Sequence, residues 1–330
     1  MPELPLLLIV LFLVLAAEFT NGLTDAPNAI ATVVSTRVLS PLRAVIMAAF
    51  LNIAGVLVTG TAVAYTVGKG IVEPEAIGLY TVAAAVLTVV IWSTVTWRLG
   101  LPTSETHELV AGLARAGLAT AGPSVLLWAG WQKVLIGLGL STVLGFSGGF
   151  IIMTIIYWLF RHARRSLVNA IFSRLQILSA AFMAFSHGSN DGQKFMGIFS
   201  LALFLGGVLP VFQVPLWVVL ICGLVMGIGT LLGGWRIIKT MGFGLTKLEP
   251  VNGFAAETSA SFAILLSSSL GIPLSTTHTI NTSIIGVGAT RRLSAVRWNV
   301  TGNIVMTWLI TFPACGALGF LFAWLFRLIS

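Results

Sequence analysis

Apolar runs long enough to cross a bilayer recur from one end of the chain to the other, and short polar stretches punctuate them. Residues 4–36 read as one crossing interrupted by the polar stretch Asn21–Pro27, followed by spans at 42–66 and 131–160. Residues 174–209 repeat the first pattern with an interruption at Ser186–Lys194, and spans at 215–235 and 298–328 follow. Two further regions, 76–121 and 252–290, carry Pro102 and Pro273 midway, each beside a Ser/Thr cluster. Polar, broken backbone at membrane depth is tolerated only where protein or water covers it. Both regions are therefore expected to be re-entrant hairpins. The run Leu4–Ala17 resembles a signal peptide, but no small-x-small cleavage site follows, and it is read as part of a span.

Composition agrees with the pattern. Hydrophobic residues make up 57% of the 330 positions and charged residues 8%, against about 25% charged in soluble domains. The net charge of +8 does not point to nucleic acid, because the basic residues cluster in short loops: Arg37 with Arg43; Arg161, Arg164 and Arg165 through Arg174; Arg236, Lys239 and Lys247; Arg291, Arg292 and Arg297. The positive-inside bias places all of these in the cytoplasm. The crossings between them then put both termini outside a multi-pass protein of the cell membrane. Cys222 and Cys315 lie inside apolar runs and read as small buried hydrophobes.

The chain also repeats itself. Phe19–Asp25 matches Phe185–Asp191 at an offset of 166, and Leu99–His107 matches Leu270–His278 at an offset of 171. Val72-Glu73-Pro74 matches Leu248-Glu249-Pro250, and Trp131 matches Trp298, in the same order. The expected fold class is an all-α integral membrane protein of two repeats, 1–165 and 166–330. An odd number of crossings per repeat makes them inverted. Inverted repeats with interrupted helices around a midplane site are transporter architecture.

Asp25 and Asp191 are the only aspartates in the chain and occupy equivalent places in the repeats. A carboxylate at membrane depth is costly unless paired or bound to a cation, and so marks a functional site. Carboxylates with Asn21, Asn28 and Asn190 supply hard oxygens for Na⁺, or a carboxylate for H⁺. Alternatively, each aspartate caps a helix or pairs with Lys194. Ser104, Thr106, Ser275, Thr276 and Thr277 follow the two prolines where helices would begin, and helix N-termini attract anions; plain N-capping would use the same residues. Gly22 and Gly188 are grouped with this oxyanion set. His107, His278, Lys194, Gln193 and Glu105 are accessory candidates, and no His/Cys cluster suggests a transition-metal site. Glu18, Glu108 and Glu257 are left without a role. A Ser/His/Asp nucleophile set would explain one copy of these residues but not two. A channel would need no matched pair of aspartates.

Residues 21–41, from Asn21-Gly22-Leu23-Thr24-Asp25 to Pro41, and residues 186–197, Ser-His-Gly-Ser-Asn-Asp-Gly-Gln-Lys-Phe-Met-Gly, resemble the two signature motifs of the inorganic phosphate transporter (PiT) family. The Pro-x-Ser-x-Thr-His hairpins are similar to that family's as well. The resemblance implies an inverted-repeat fold, inorganic phosphate as substrate, symport with Na⁺ or H⁺ and no other cofactor, and a homo-oligomer. It assigns Asp25, Asn28, Asn190 and Asp191 to the cation, Na⁺ included, and the hairpin hydroxyls to the anion. Thr24 and Pro27 stand where the family's first motif usually has His and Ala, Phe195 replaces a common Thr in the second, and Glu105 and Glu108 replace small or apolar residues. A sulfate or other oxyanion permease of the same fold is the alternative reading, and an anion channel a remoter one.

Overall fold

The protein, described here over residues 4–328 of a computed structural model, is built from helices. Six of them follow one another as α1 (Leu4–Ser35), α2 (Pro41–Val58), α3 (Ala62–Lys69), α4 (Leu79–Leu99), α5 (Glu105–Ala121) and α6 (Trp128–Leu159). The same series then recurs: α7 (Arg165–Leu205), α8 (Leu216–Leu232), α9 (Trp235–Ile238, continued by a π-turn at Lys239–Gly244), α10 (Pro250–Ser269), α11 (Thr276–Ala289) and α12 (Trp298–Arg327). By length and composition α1, α2, α4, α6, α7 and α12 can each cross a membrane, and α8 with α9, bent by 62°, makes up to a seventh crossing. The chain is a multi-pass membrane protein.

Its outer surface suits lipid. Leu8, Ile9 and Phe12 on α1, Val143, Ile151 and Ile155 on α6, and Leu309, Ile310 and Phe320 on α12 are all exposed. Exposed Trp128 and Trp158 sit near the two ends of α6, and Trp298 and Trp324 near the two ends of α12, where indoles anchor helices at the headgroups.

The expected interruptions at Asn21–Pro27 and Ser186–Lys194 do not exist: α1 and α7 run through both stretches as continuous helices. Helix keeps every backbone group but Pro27's bonded at membrane depth, so only the side chains need partners, and neighbouring helices supply them. Pro27 is accommodated because its ring and the carbonyl of Leu23, the acceptor it cannot reach, lie against Gly234, where no side chain intrudes. The breaks fall instead within the supposed single spans 42–66 and 215–235, between α2 and α3 and between α8 and α9.

The buried apolar residues form two large clusters with a polar band between them. Going along α1, Leu7–Ala17 belong to the first cluster and Ala29–Val33 to the second; along α7, Phe172–Ala184 belong to the second and Phe195–Leu203 to the first. The two helices traverse the same layers in opposite order. Packing follows the same exchange. α1 lies against α8 and α4 while α7 lies against α2 and α10, and α5 packs on α12 while α11 packs on α6.

Two of these crossings are closed to side chains. A Cβ at Gly22 would strike the backbone carbonyl of Met226 on α8, and one at Gly188 would strike that of Asn52 on α2. Small residues let membrane helices approach this closely. Gly188→Leu should therefore force α2 and α7 apart at a cost of about 3 kcal/mol. Thermal unfolding of purified protein in detergent should show a clearly lowered midpoint; an unchanged midpoint would mean the crossing is looser than described.

Candidate functional site

Each hairpin turns on a glycine held at positive φ, Gly100 at 71° and Gly271 at 65°, a backbone region open mainly to glycine. The proline then keeps the next residues extended, and a new helix starts with Ser104 or Ser275 as its N-cap. Ser275 accepts a hydrogen bond from the His278 N–H at 3.2 Å, whereas the Ser104 side chain makes no capping bond. The two tips touch: the Thr106 hydroxyl donates to the Leu274 carbonyl at 3.2 Å. The His107 and His278 rings meet edge to face with centroids 4.6 Å apart, and His278 lies 3.7 Å from the Trp308 ring. In these positions the two histidines pack the tips together.

The starts of α5 and α11 face the polar band of α1 and α7. Thr276 donates to Asp191 at 2.8 Å, and Thr277 approaches both oxygens of Asp25 at 3.3 and 3.4 Å. The Asn28 amide bridges these hydroxyls, at 3.3 Å to Thr276 and 3.0 Å to Thr277. Asn190 donates to Ser268, at the end of α10, at 2.9 Å. The cation and anion candidates thus form one cluster. Asp25 is 5% exposed, and Asp191, Thr276 and Thr277 1% or less, so the cluster is enclosed on all sides.

Asp191 is the better-supported aspartate. Lys194 pairs with it directly, one turn away on α7, and His187 Nε2 is 3.2 Å from its other oxygen. His187 is held in turn by Asn52 on α2, which also donates to Thr230 on α8. Asp25, His187 and Asp191 present ligand atoms that all lie within 4.8 Å of one another. Around them, Glu18 Oε1, Asn21 Oδ1 and Asn190 Oδ1 are buried without a hydrogen-bond partner. Unpartnered buried oxygens of this kind are what a hard cation would occupy.

Several candidates take other places. Gly22 and Gly188 face α8 and α2 at the helix crossings, so neither can cradle an anion. Gln193 accepts from the Val63 N–H at 2.9 Å and fastens the start of α3. Glu105 Oε1 lies 2.6 Å from the Thr24 hydroxyl, which brings two of the departures from the family pattern into contact. Glu257 is bound by Thr32, Ser179 and Gln176, away from the tips. His187 and Asn52 escaped the sequence reading. His187 occupies the place of Asn21 in the matched motif and sits one helical turn before Asp191, a usable signal; Asn52 stands alone in an apolar run and has none.

Residues 21–319 match the phosphate transporter family. A "Probable low-affinity inorganic phosphate transporter" of Rhizobium meliloti is 46% identical over 94% of this chain and 93% of its own length. A protein of the same description from Bacillus subtilis is 39% identical, with 95% of each chain covered. The solved structure of a sodium-dependent phosphate transporter superposes with a TM-score of 0.91 at 25% identity, covering 99% of this chain and all of that one. The chain belongs to the phosphate transporter family.

Proposed function

We propose that the chain imports inorganic phosphate by symport with Na⁺, through alternating access of two inverted repeats around the Asp25–Asp191 cluster. The observation that carries this is the hydrogen bonding of both matched aspartates to the first hydroxyls of α11. Ligands for the cation and donors for the anion are therefore the same few side chains, and occupancy of one site must alter the other. The opposite order in which α1 and α7 cross the two apolar layers supports inversion.

Charge explains the coupling. Among the described residues Glu18, Asp25, Glu105, Glu108, Asp191 and Glu257 are buried, and Lys194 is the one buried lysine or arginine. An anion entering this excess of carboxylates is repelled until cations compensate it. Asp25, Asp191, Asn28 and Asn190 would hold Na⁺, with Asn21 beside them. The Thr276 and Thr277 hydroxyls, freed from the carboxylates, would turn to the oxyanion together with Ser104, Ser275 and the N-termini of α5 and α11. Both ligands leave when the hairpins separate from one half or the other. The solved sodium-dependent relative favours Na⁺, and the sulfate alternative rests on no feature of the site.

In proteoliposomes, [³²P]phosphate uptake should follow an imposed Na⁺ gradient and be insensitive to excess sulfate. Asp25→Asn and Asp191→Asn each remove a charged ligand worth about 2 kcal/mol, or roughly thirty-fold in uptake. Full activity in both variants would dismiss the coupling scheme. For topology, a single cysteine replacing exposed Arg291 should react with an impermeant maleimide only from the cytoplasmic side. One placed at exposed Glu75 should react only from outside, and labelling of both from one side would rule out the arrangement.

A further inference from the structure

A count of protons around Glu105 and Glu108 gives an unexpected result. The Thr24 hydroxyl touches two oxygens, the Thr20 carbonyl at 2.9 Å and Glu105 Oε1 at 2.6 Å. The Ser93 hydroxyl, on α4, likewise touches two, Glu105 Oε1 at 3.4 Å and Glu108 Oε2 more closely. A carbonyl and an ionised carboxylate only accept, and each hydroxyl has one proton to give. Four contacts therefore share two protons. Even with the 3.4 Å contact set aside, three remain for two. With Thr24 donating to Glu105 and Ser93 to Glu108, the Thr24 oxygen still faces the Thr20 carbonyl at 2.9 Å without a proton between them, and Glu105 Oε2 and Glu108 Oε1 are buried without any hydrogen-bond partner.

Protonating a glutamate resolves the count. With a proton on Glu105 Oε1, that oxygen donates to Thr24, Thr24 donates to the Thr20 carbonyl, and Ser93 remains free to donate to Glu108. A second proton on Glu108 would let it donate to Ser93, and Ser93 to Glu105. We propose that Glu105 and Glu108, linked through Ser93, form a proton-binding site at the α4–α5 hairpin, distinct from the cation cluster at Asp25 and Asp191. The step is the formation of one carboxyl O–H bond with a proton from bulk water, released again when the hairpin opens. A proton needs a single oxygen, whereas a metal ion needs several, and neither glutamate belongs to the ligand cluster at Asp25, His187 and Asp191.

The surroundings favour the neutral form. Glu105 is 2% exposed and Glu108 fully buried, and neither pairs with a lysine or arginine. The charged and titratable groups facing them are Asp25 on α1, Asp191 with its partners Lys194 and His187 on α7, His107 on α5 against His278 of α11, and Cys315 on α12. On the far side of α4, Arg98 and Arg236 are exposed. Glu257 offers a contrast within the same molecule. Both of its oxygens receive side-chain donors, from Thr32, Gln176 and Ser179, whereas Glu105 Oε2 and Glu108 Oε1 are buried without a hydrogen-bond partner.

Protonation stands on this geometry alone; only its part in turnover rests on the transport reading. Infrared spectra of the reconstituted protein near neutral pH should contain the C=O stretch of a protonated carboxylic acid. The wild-type-minus-Glu105→Gln difference spectrum should contain that band, shifted in D₂O, and Glu108→Gln should alter it through their common serine. If Glu105→Gln does not fold, loss or displacement of the band in Glu108→Gln makes the same test. Spectra in which neither substitution changes the carboxyl band would overturn the proposal. Uptake against external pH reads the role in turnover: the wild-type profile should shift in either variant, while the titration of phosphate itself is common to both and cancels. No phosphate uptake by the wild type would remove the transport reading and leave the band in place.

Discussion

Uncompensated negative charge at membrane depth is the constraint around which this protein is arranged. Each ionised carboxylate in that environment costs about 3 kcal/mol if nothing neutralises it, and among the described residues the interior holds six acidic side chains against one lysine. The protein answers in different ways at different places. Asp191 is neutralised by Lys194 and backed by His187. Glu257 is solvated by a ring of side-chain donors. Asp25 has long hydroxyl contacts and oxygens nearby that lack partners, the feature on which the proposed cation site rests. Glu105 and Glu108 have too few protons for the contacts they make.

The scaffold follows from the same need. Irregular backbone near the middle of the bilayer would add unsatisfied N–H and C=O groups to an interior already short of positive charge. α1 and α7 stay helical through their polar stretches and let side chains alone face the site. Irregularity falls at the α2–α3 and α8–α9 breaks and at the two hairpin tips, where extended segments bring the first turns of α5 and α11 against α1 and α7. The tips touch through Thr106 and the paired histidines. A movement of one hairpin would thereby be felt by the other, as the proposed alternating access requires.

The layered core adds a mechanical consequence. Two apolar clusters lie on either side of the polar band, and each draws residues from both repeats. Either cluster can remain packed while the other is disturbed. Glycine-lined crossings between α1 and α8 and between α2 and α7 sit at the level of the aspartates, so both aspartates are mounted on closely packed helices. The hairpin helices are packed as closely on their far side, α5 against α12 at Gly319 and α11 against α6 at Gly145, Gly149 and Gly286.

Much of this was legible in the sequence, because hydropathy and charge bias are local properties of a chain. The multi-pass membrane class and its apolar helices follow from residue type and spacing, and Asp25, Asp191, Thr276 and Thr277, singled out by the repeated motifs, do come into contact. Tertiary structure decided what depends on partners distant in the chain. Asn21–Pro27 looked like a helix break because polar residues and a proline favour one locally; Gly234 and the facing hydroxyls, far off in sequence, make the helix possible. Gly22 and Gly188 looked like an anion cradle and proved to be packing surfaces. Asn52 carried no signal at all until it met His187. The chain alone also showed Glu105, Glu108, Ser93 and Thr24 as four ordinary polar residues. Only their meeting across three helices sets two hydroxyl protons against four oxygen contacts, since hydrogen bonding is a matter of geometry between groups and not of their identity.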